Sequence, residues 1–390
     1  MKNTKFRTLS LFLAVSLLLF CALPLAAFAA CENGGEGDAV PLPMPKENAT
    51  PTVPSSADAE EAVPTLADDT KVSSRFLELF LGKGEEKKTL SLIPGGNIFG
   101  VKIKQCGVSI TEISESAGKT PLAVGDVILA VNGESVTGAA DVSEKIRRSS
   151  GDLVLRIRRG EEEMDLTVTP SGEAGAAKLG ILVRDGAAGI GTVTFIDPET
   201  GAFGGLGHGI CDPDTGELIE MEEGTVTDVI LGGVRRGESG KPGELHGVLK
   251  REVIGNLLEN SECGVFGVLT HADTTAEAIP LGTRDEGHEG RATILSTVKG
   301  ETPVSYEINI HEIHKTSGNT KSFRITVTDP TLIAMTGGIV RGMSGSPILQ
   351  DGKLIGAVTH VMVGDPTEGY GIFIENMLAA MPEEVLPEAA

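Results

Sequence analysis

Apolar positions along this chain fall in short runs broken by Gly, Asn and Asp, a pattern that predicts strands joined by tight turns. Between residues 91 and 170 the runs 101–103, 108–110, 127–131, 153–157 and 164–168 each read as a strand. Asn132-Gly133 closes the third run with a strong tight-turn signal. Asp141 reads as the cap of a helix that carries Val142 and Ile146 on one face. From about 178 to 380 the runs are again short and separated by Gly-rich turns, which predicts an all-β sandwich or barrel with a short closing helix at 376–380. Within it, the stretch from Ile348 to Val358 reads as two strands joined at Asp351-Gly352. The stretch 75–81 reads equally as helix or strand.

Composition fits that β-rich reading. The chain has 390 residues, 51 of them Gly, with 4% aromatic residues and no Trp. Its 40% hydrophobic content suffices for folded cores, and the length allows two domains. The first 30 residues change the picture. Lys2, Lys5 and Arg7 precede the apolar run 9–18, and small residues such as Ala27 and Ala29 come after it. That order predicts a signal peptide or an uncleaved membrane anchor at 1–30, and Cys31 adds a lipidation site as a third option. Residues 31–73 are rich in Pro, Ala and acidic side chains without apolar periodicity, which predicts a disordered linker. A net charge of −22 excludes nucleic acid and acidic headgroups as natural partners. Cys106, Cys211 and Cys263 are too widely spaced for a disulfide framework or a zinc pattern.

The strongest chemical signal is Gly342-Met-Ser344-Gly-Ser-Pro347. A nucleophilic serine needs a sharp turn beside backbone donors for an oxyanion. Ser344 is the predicted nucleophile, with the N–H groups of Gly342 and Ser344 as the oxyanion hole. Of seven histidines, His208 is the predicted base, because Gly207 and Gly209 flank it with accessible backbone. His311 and His314 make a poor metal pair, and His360 reads as a packing or rim residue. The orienting acid is either Asp329, just ahead of the serine turn, or Asp212. No metal or cofactor is called for.

Two resemblances extend this reading. The run from Leu122 to Gly133, with Gly125-Asp126 and Asn132-Gly133, resembles the central strand and turn of PDZ domains. It implies a PDZ-like domain at 91–170 that takes up a peptide C-terminus. Gly96, Ile98, Phe99, Gly100 and Val101 are the expected carboxylate loop and groove strand. Separately, Leu182-Val-Arg-Asp185 through Phe195, Leu206-Gly-His208-Gly, Thr328-Asp-Pro330, the serine motif and Gly356-Ala-Val-Thr-His360 resemble the stage IV sporulation protein B peptidase family. That resemblance implies a chymotrypsin-like double β-barrel serine protease domain at 178–380, with catalytic His208, Asp329 and Ser344. It also implies a regulatory endopeptidase of sporulation signalling in the space between the forespore membranes. Such an enzyme cleaves itself and a membrane-bound inhibitor of an intramembrane protease, which leads to activation of a late sigma factor. The competing reading is an exported PDZ-containing binding protein whose protease-like domain is a silent scaffold.

Overall fold

The computed structural model describes residues 90–385 apart from 174, 273 and 317–319. The leader at 1–30, the linker at 31–73 and the stretch 75–81 lie outside the described residues. Two long strands organise the rest of the chain. After β1 (Ser91–Pro94), the predicted runs 101–103 and 108–110 join in one 16-residue strand, β2 (Ile98–Ile113). Its first half buries Phe99, Val101 and Ile103 in a core with Phe203, Val226 and Val265. Its second half buries Val108 and Ile110 in a separate core. One strand therefore serves two lobes.

The second of those cores belongs to a small lobe, where the sequence leads one to expect a PDZ-like domain. It contains β3 (Val127–Val131), β4 (Glu134–Ser135), the helix Ala139–Arg148, β5 (Leu153–Arg159) and β6 (Glu162–Val168). Asn132 and Gly133 both take positive φ, 53° and 82°, as a two-residue hairpin turn needs. The helix packs Val142 and Ile146 against the sheet. Gly138, not Asp141, is its N-cap residue. Asp141 lies inside the first turn, where its carboxylate reaches back to the Thr137 N–H at 3.0 Å. Asp185 supplies the long-range cap, accepting from the Ala139 N–H at 2.9 Å.

A second 16-residue strand, β7 (Ile181–Ile196), runs antiparallel to β2 from Ile113↔Ile181 to Ile98↔Thr192 and re-enters the larger lobe. There β8 (Ala202–Gly205), β9 (Met221–Arg235), β10 (Glu244–Ser261) and β11 (Gly264–Leu269) complete a ring. The strands take the order β7-β8-β11-β10-β9-β2, and the β2–β7 pairing closes it into a six-stranded barrel. The short β12 (Ile279–Pro280) pairs with β1. A second closed barrel comes next, in the order β13-β14-β15-β18-β17-β16. Its strands are β13 (Gly290–Ser296), β14 (Val304–His311), β15 (Phe323–Val327), β16 (Pro347–Gln350), β17 (Lys353–Val361) and β18 (Glu368–Phe373). The expected turn at Asp351-Gly352 joins β16 to β17, both residues at positive φ. The closing helix is Ile374–Ala379.

The fold is thus mostly β, a chymotrypsin-like double barrel with a small additional lobe. One point differs from the sequence reading. The lobe does not precede the barrels but is inserted into the first of them, because residues 90–103 already pack in barrel cores. Sequence order hid this, since the polar interruptions at Lys104–Gly107 in β2 and Arg184–Gly186 in β7 lie inside strands that cross from one lobe to the other.

Candidate active site

The serine loop lies just before β16, where it meets β7 of the first barrel. Thr192 Oγ1 donates to the Gly342 carbonyl at 2.7 Å, and Thr194 Oγ1 donates to the Gly345 carbonyl at 2.8 Å. The Thr192 N–H donates to the Ser344 carbonyl, and the Gly345 N–H to the Val358 carbonyl. Both threonines are fully buried, so these bonds are shielded from water and hold the loop firmly. Gly342 and Gly345 sit at φ 96° and 94°, a region glycine enters without strain. A Cβ on Gly345 would collide with the Thr192 carbonyl and the Leu206 amide. With its carbonyls so engaged, the turn leaves the N–H groups of Gly342 and Ser344 without a backbone acceptor among the described residues. Those are the two donors an oxyanion requires.

His208 comes after β8, carried by a turn in which Leu206 and Gly207 take positive φ. It is 7% exposed. Its Nδ1 lies 2.8 Å from the Gly209 carbonyl. A carbonyl only accepts, so Nδ1 carries the proton and Nε2 keeps its lone pair. Burial pushes the His208 pKa below the usual imidazole range, and the Gly209 bond offsets part of that. The imidazole is therefore neutral and ready to accept a proton. The Ser344 hydroxyl, however, donates to the Thr359 carbonyl at 2.8 Å rather than to His208.

Neither candidate acid is hydrogen-bonded to His208. Asp329 caps the helix Pro330–Thr336, accepting from the Thr331 and Leu332 N–H groups at 2.8 and 3.0 Å. These amides, with a further one from Glu307, hold its pKa down against the opposing effect of burial. Asp212 instead closes a local turn, accepting from the Asp214 N–H, and pairs with Arg184 at 3.4 Å. The residue that does meet His208 is His360, on β17, with ring centroids 5.0 Å apart. Sequence reasoning passed over it; its place right after Thr359 in the Gly356–His360 motif was the available signal. No group of three or more metal-ligating side chains is found among the described residues.

The residues expected to form a peptide groove are engaged within the first barrel. Gly96 donates its N–H to the Val193 carbonyl, and Thr297 Oγ1 donates to the Gly96 carbonyl. Gly100 and Val101 are paired on both sides, with β7 and with β9. Phe99 and Val101 are buried in the first barrel. With both edges taken, no peptide strand can add there. The open edge is instead that of β7 at Ile181–Val183, opposite the helix Ala139–Arg148. Between them lies a groove of about 340 Å³ lined by Val142, Ile146, Leu179, Ile181 and Val183, with Arg147 and Lys178 also on its wall.

Known proteins resemble this chain over stretches of different length. The family described as SpoIVB peptidase S55 matches residues 175–378, which include His208, Asp329 and Ser344. A 57-residue stretch is 44% identical to serine protease HTRA1 of Xenopus tropicalis, over 15% of this chain and 12% of that protein. The chain thus aligns with only a small part of that relative's length. Among solved structures, the HtrA-type protease AlgW with decapeptide is 10% identical over 73% of this chain and 62% of that one, at a TM-score of 0.31. With its family matched over more than half its length, this chain belongs to the SpoIVB peptidase S55 family.

Proposed function

We propose that this protein is a regulatory serine endopeptidase in which Ser344 attacks the scissile carbonyl and His208 takes its proton and returns it to the leaving amine. The developing oxyanion is received by the N–H groups of Gly342 and Ser344. The observation that supports the reading is what β17 joins: His360 meets the buried neutral His208 of the first barrel, and the adjoining Thr359 holds the hydroxyl of a serine turn with two unengaged N–H groups. The Gly209 carbonyl fixes the His208 tautomer. Its natural setting is sporulation signalling outside the cytoplasmic membrane, with self-cleavage and cleavage of a membrane-bound inhibitor complex. Family membership and the exported-type leader support that placement. Among the described residues no helix is long and apolar enough to cross a membrane. The groove beside Ile181 is the candidate receptor for a substrate or partner C-terminus, its carboxylate facing Arg147 and Lys178.

One observation favours the silent-scaffold reading: the Ser344 hydroxyl rests on the Thr359 carbonyl. A fluorophosphonate probe separates the two. The peptidase reading expects covalent labelling of the full chain that Ser344→Ala abolishes, together with a fall of about 10⁶ in peptide hydrolysis. A cooperatively folded wild type that takes no label would leave the scaffold reading standing.

A further inference from the structure

His208 needs a neighbour that keeps its ring in place and tolerates its charge when it holds the serine proton. Asp329 is committed to a helix cap and Asp212 to a turn and an arginine. The ring beside His208 is that of His360, tilted 39° to it at 5.0 Å. His360 directly follows Thr359, whose carbonyl holds the Ser344 hydroxyl. Two consecutive residues of β17 therefore touch the nucleophile and the base. The Nδ1 of His360 is buried without a hydrogen-bond partner. A residue kept only for packing would avoid that cost by being apolar.

We propose that His360 is a positioning residue for His208: its neutral ring packs against that imidazole, keeps it turned toward Ser344, and supplies the polar neighbour expected of a carboxylate. This role rests on the peptidase reading above. Burial holds the His360 pKa down to about 3, and the charges of His208 and Lys321 act in the same direction. Those two are the titratable groups that face it, His208 from the turn after β8 and Lys321 from the segment before β15. Two touching imidazoles do not both carry a proton at low cost, so the proton taken from Ser344 stays on His208. A neutral imidazole offers a lone pair and a dipole to the His208 cation, which an apolar ring does not.

The test uses the full chain. Fluorophosphonate labelling rates, and kcat and KM on a peptide substrate, are measured from about pH 5 to about pH 9, the range in which a histidine base titrates. His360→Phe keeps a ring and removes both nitrogens; His360→Gln keeps a polar side chain of similar reach. His360→Phe is expected to lower kcat and the labelling rate by about 10²-fold with KM little changed. Its acid limb should move to lower pH, because the His208 cation has lost its polar neighbour. His360→Gln should recover part of the rate and return the limb toward the wild-type position. A His360→Phe protein with wild-type rate and limb overturns the proposal. So do equal losses in both variants with an unmoved limb, which would make the role purely one of packing. Loss of labelling in Asp329→Asn at unchanged Tm would give the role to Asp329 and also overturn it. A folded wild type that takes no label sinks the peptidase reading itself, whereas the other outcomes leave that reading intact.

Discussion

Ser344 is 9% exposed, so its hydroxyl sits in a low-dielectric pocket with a carbonyl acceptor and two histidines nearby. Titration of those histidines couples the site to stability. His360 has a folded-state pKa of about 3 against an ordinary 6.5. Its folded pKa is depressed, so the unfolded chain binds the extra proton across that interval. The stability this group contributes is complete above about pH 6.5 and is lost as pH falls toward about 3. Buried His208 acts in the same direction. The expected outcome is a wild-type Tm that falls on acidification, and a His360→Phe variant whose stability changes less, by about 1.4 kcal/mol per pH unit within the window. Chemical denaturation at several pH values checks it; parallel curves for the two proteins would show that His360 does not titrate this way. Asp329 belongs at this scale too. Asp329→Ala should cost about 1 kcal/mol through loss of its helix cap, read as a shift in denaturation midpoint at constant slope.

Among elements, β7 has the largest share in the site. Its N-terminal end forms one wall of the groove, and its C-terminal end holds the serine loop through Thr192 and Thr194. Thr192→Val keeps shape and removes the donor to the Gly342 carbonyl. It is expected to destabilise the protein by about 1 kcal/mol and to lower kcat by about 10²-fold through misplacement of the oxyanion donors. A Thr192→Val enzyme with wild-type kcat would show that the loop holds itself. At Gly100, in β2, a Cβ would meet the Leu249 side chain and Thr227 Oγ1. A charged side chain there would disrupt the first barrel rather than block a peptide groove.

At the level of the whole molecule, the small lobe is wired into the first barrel by two continuous strands instead of a linker. The groove proposed for a peptide therefore shares a strand, β7, with the anchor of the serine turn. Arg147, which is also paired with Glu144, and Lys178 bring basic side chains to the groove in a chain whose net charge is −22. The double variant Arg147→Glu, Lys178→Glu should weaken binding of a peptide with a free C-terminus and impair self-processing. Hydrolysis of a short generic peptide should persist, since the barrels are untouched. Binding measured by titration against the same peptide with an amidated C-terminus checks the carboxylate's part; equal affinities for the two peptides would exclude it.

The sequence by itself determined the mostly-β class, the tight turns at Asn132-Gly133 and Asp351-Gly352, and the glycine-bounded turn that carries Ser344. These are local properties: a positive φ or a short apolar run is written in a few adjacent residues. It also brought out the histidine flanked by glycines. Tertiary structure alone decided the rest, because the rest depends on pairings between residues far apart in the chain. Whether a strand edge is open depends on its partners, so Gly96–Val101 looked like a groove strand until β7 paired with it from Ile98 and β9 took the other edge at Gly100 and Val101. Asp329 stood near Ser344 in sequence, yet the nearest free amides belonged to its own helix, and a carboxylate satisfies those first. His360 read as a packing or rim residue because only the folded chain lays its ring against that of His208.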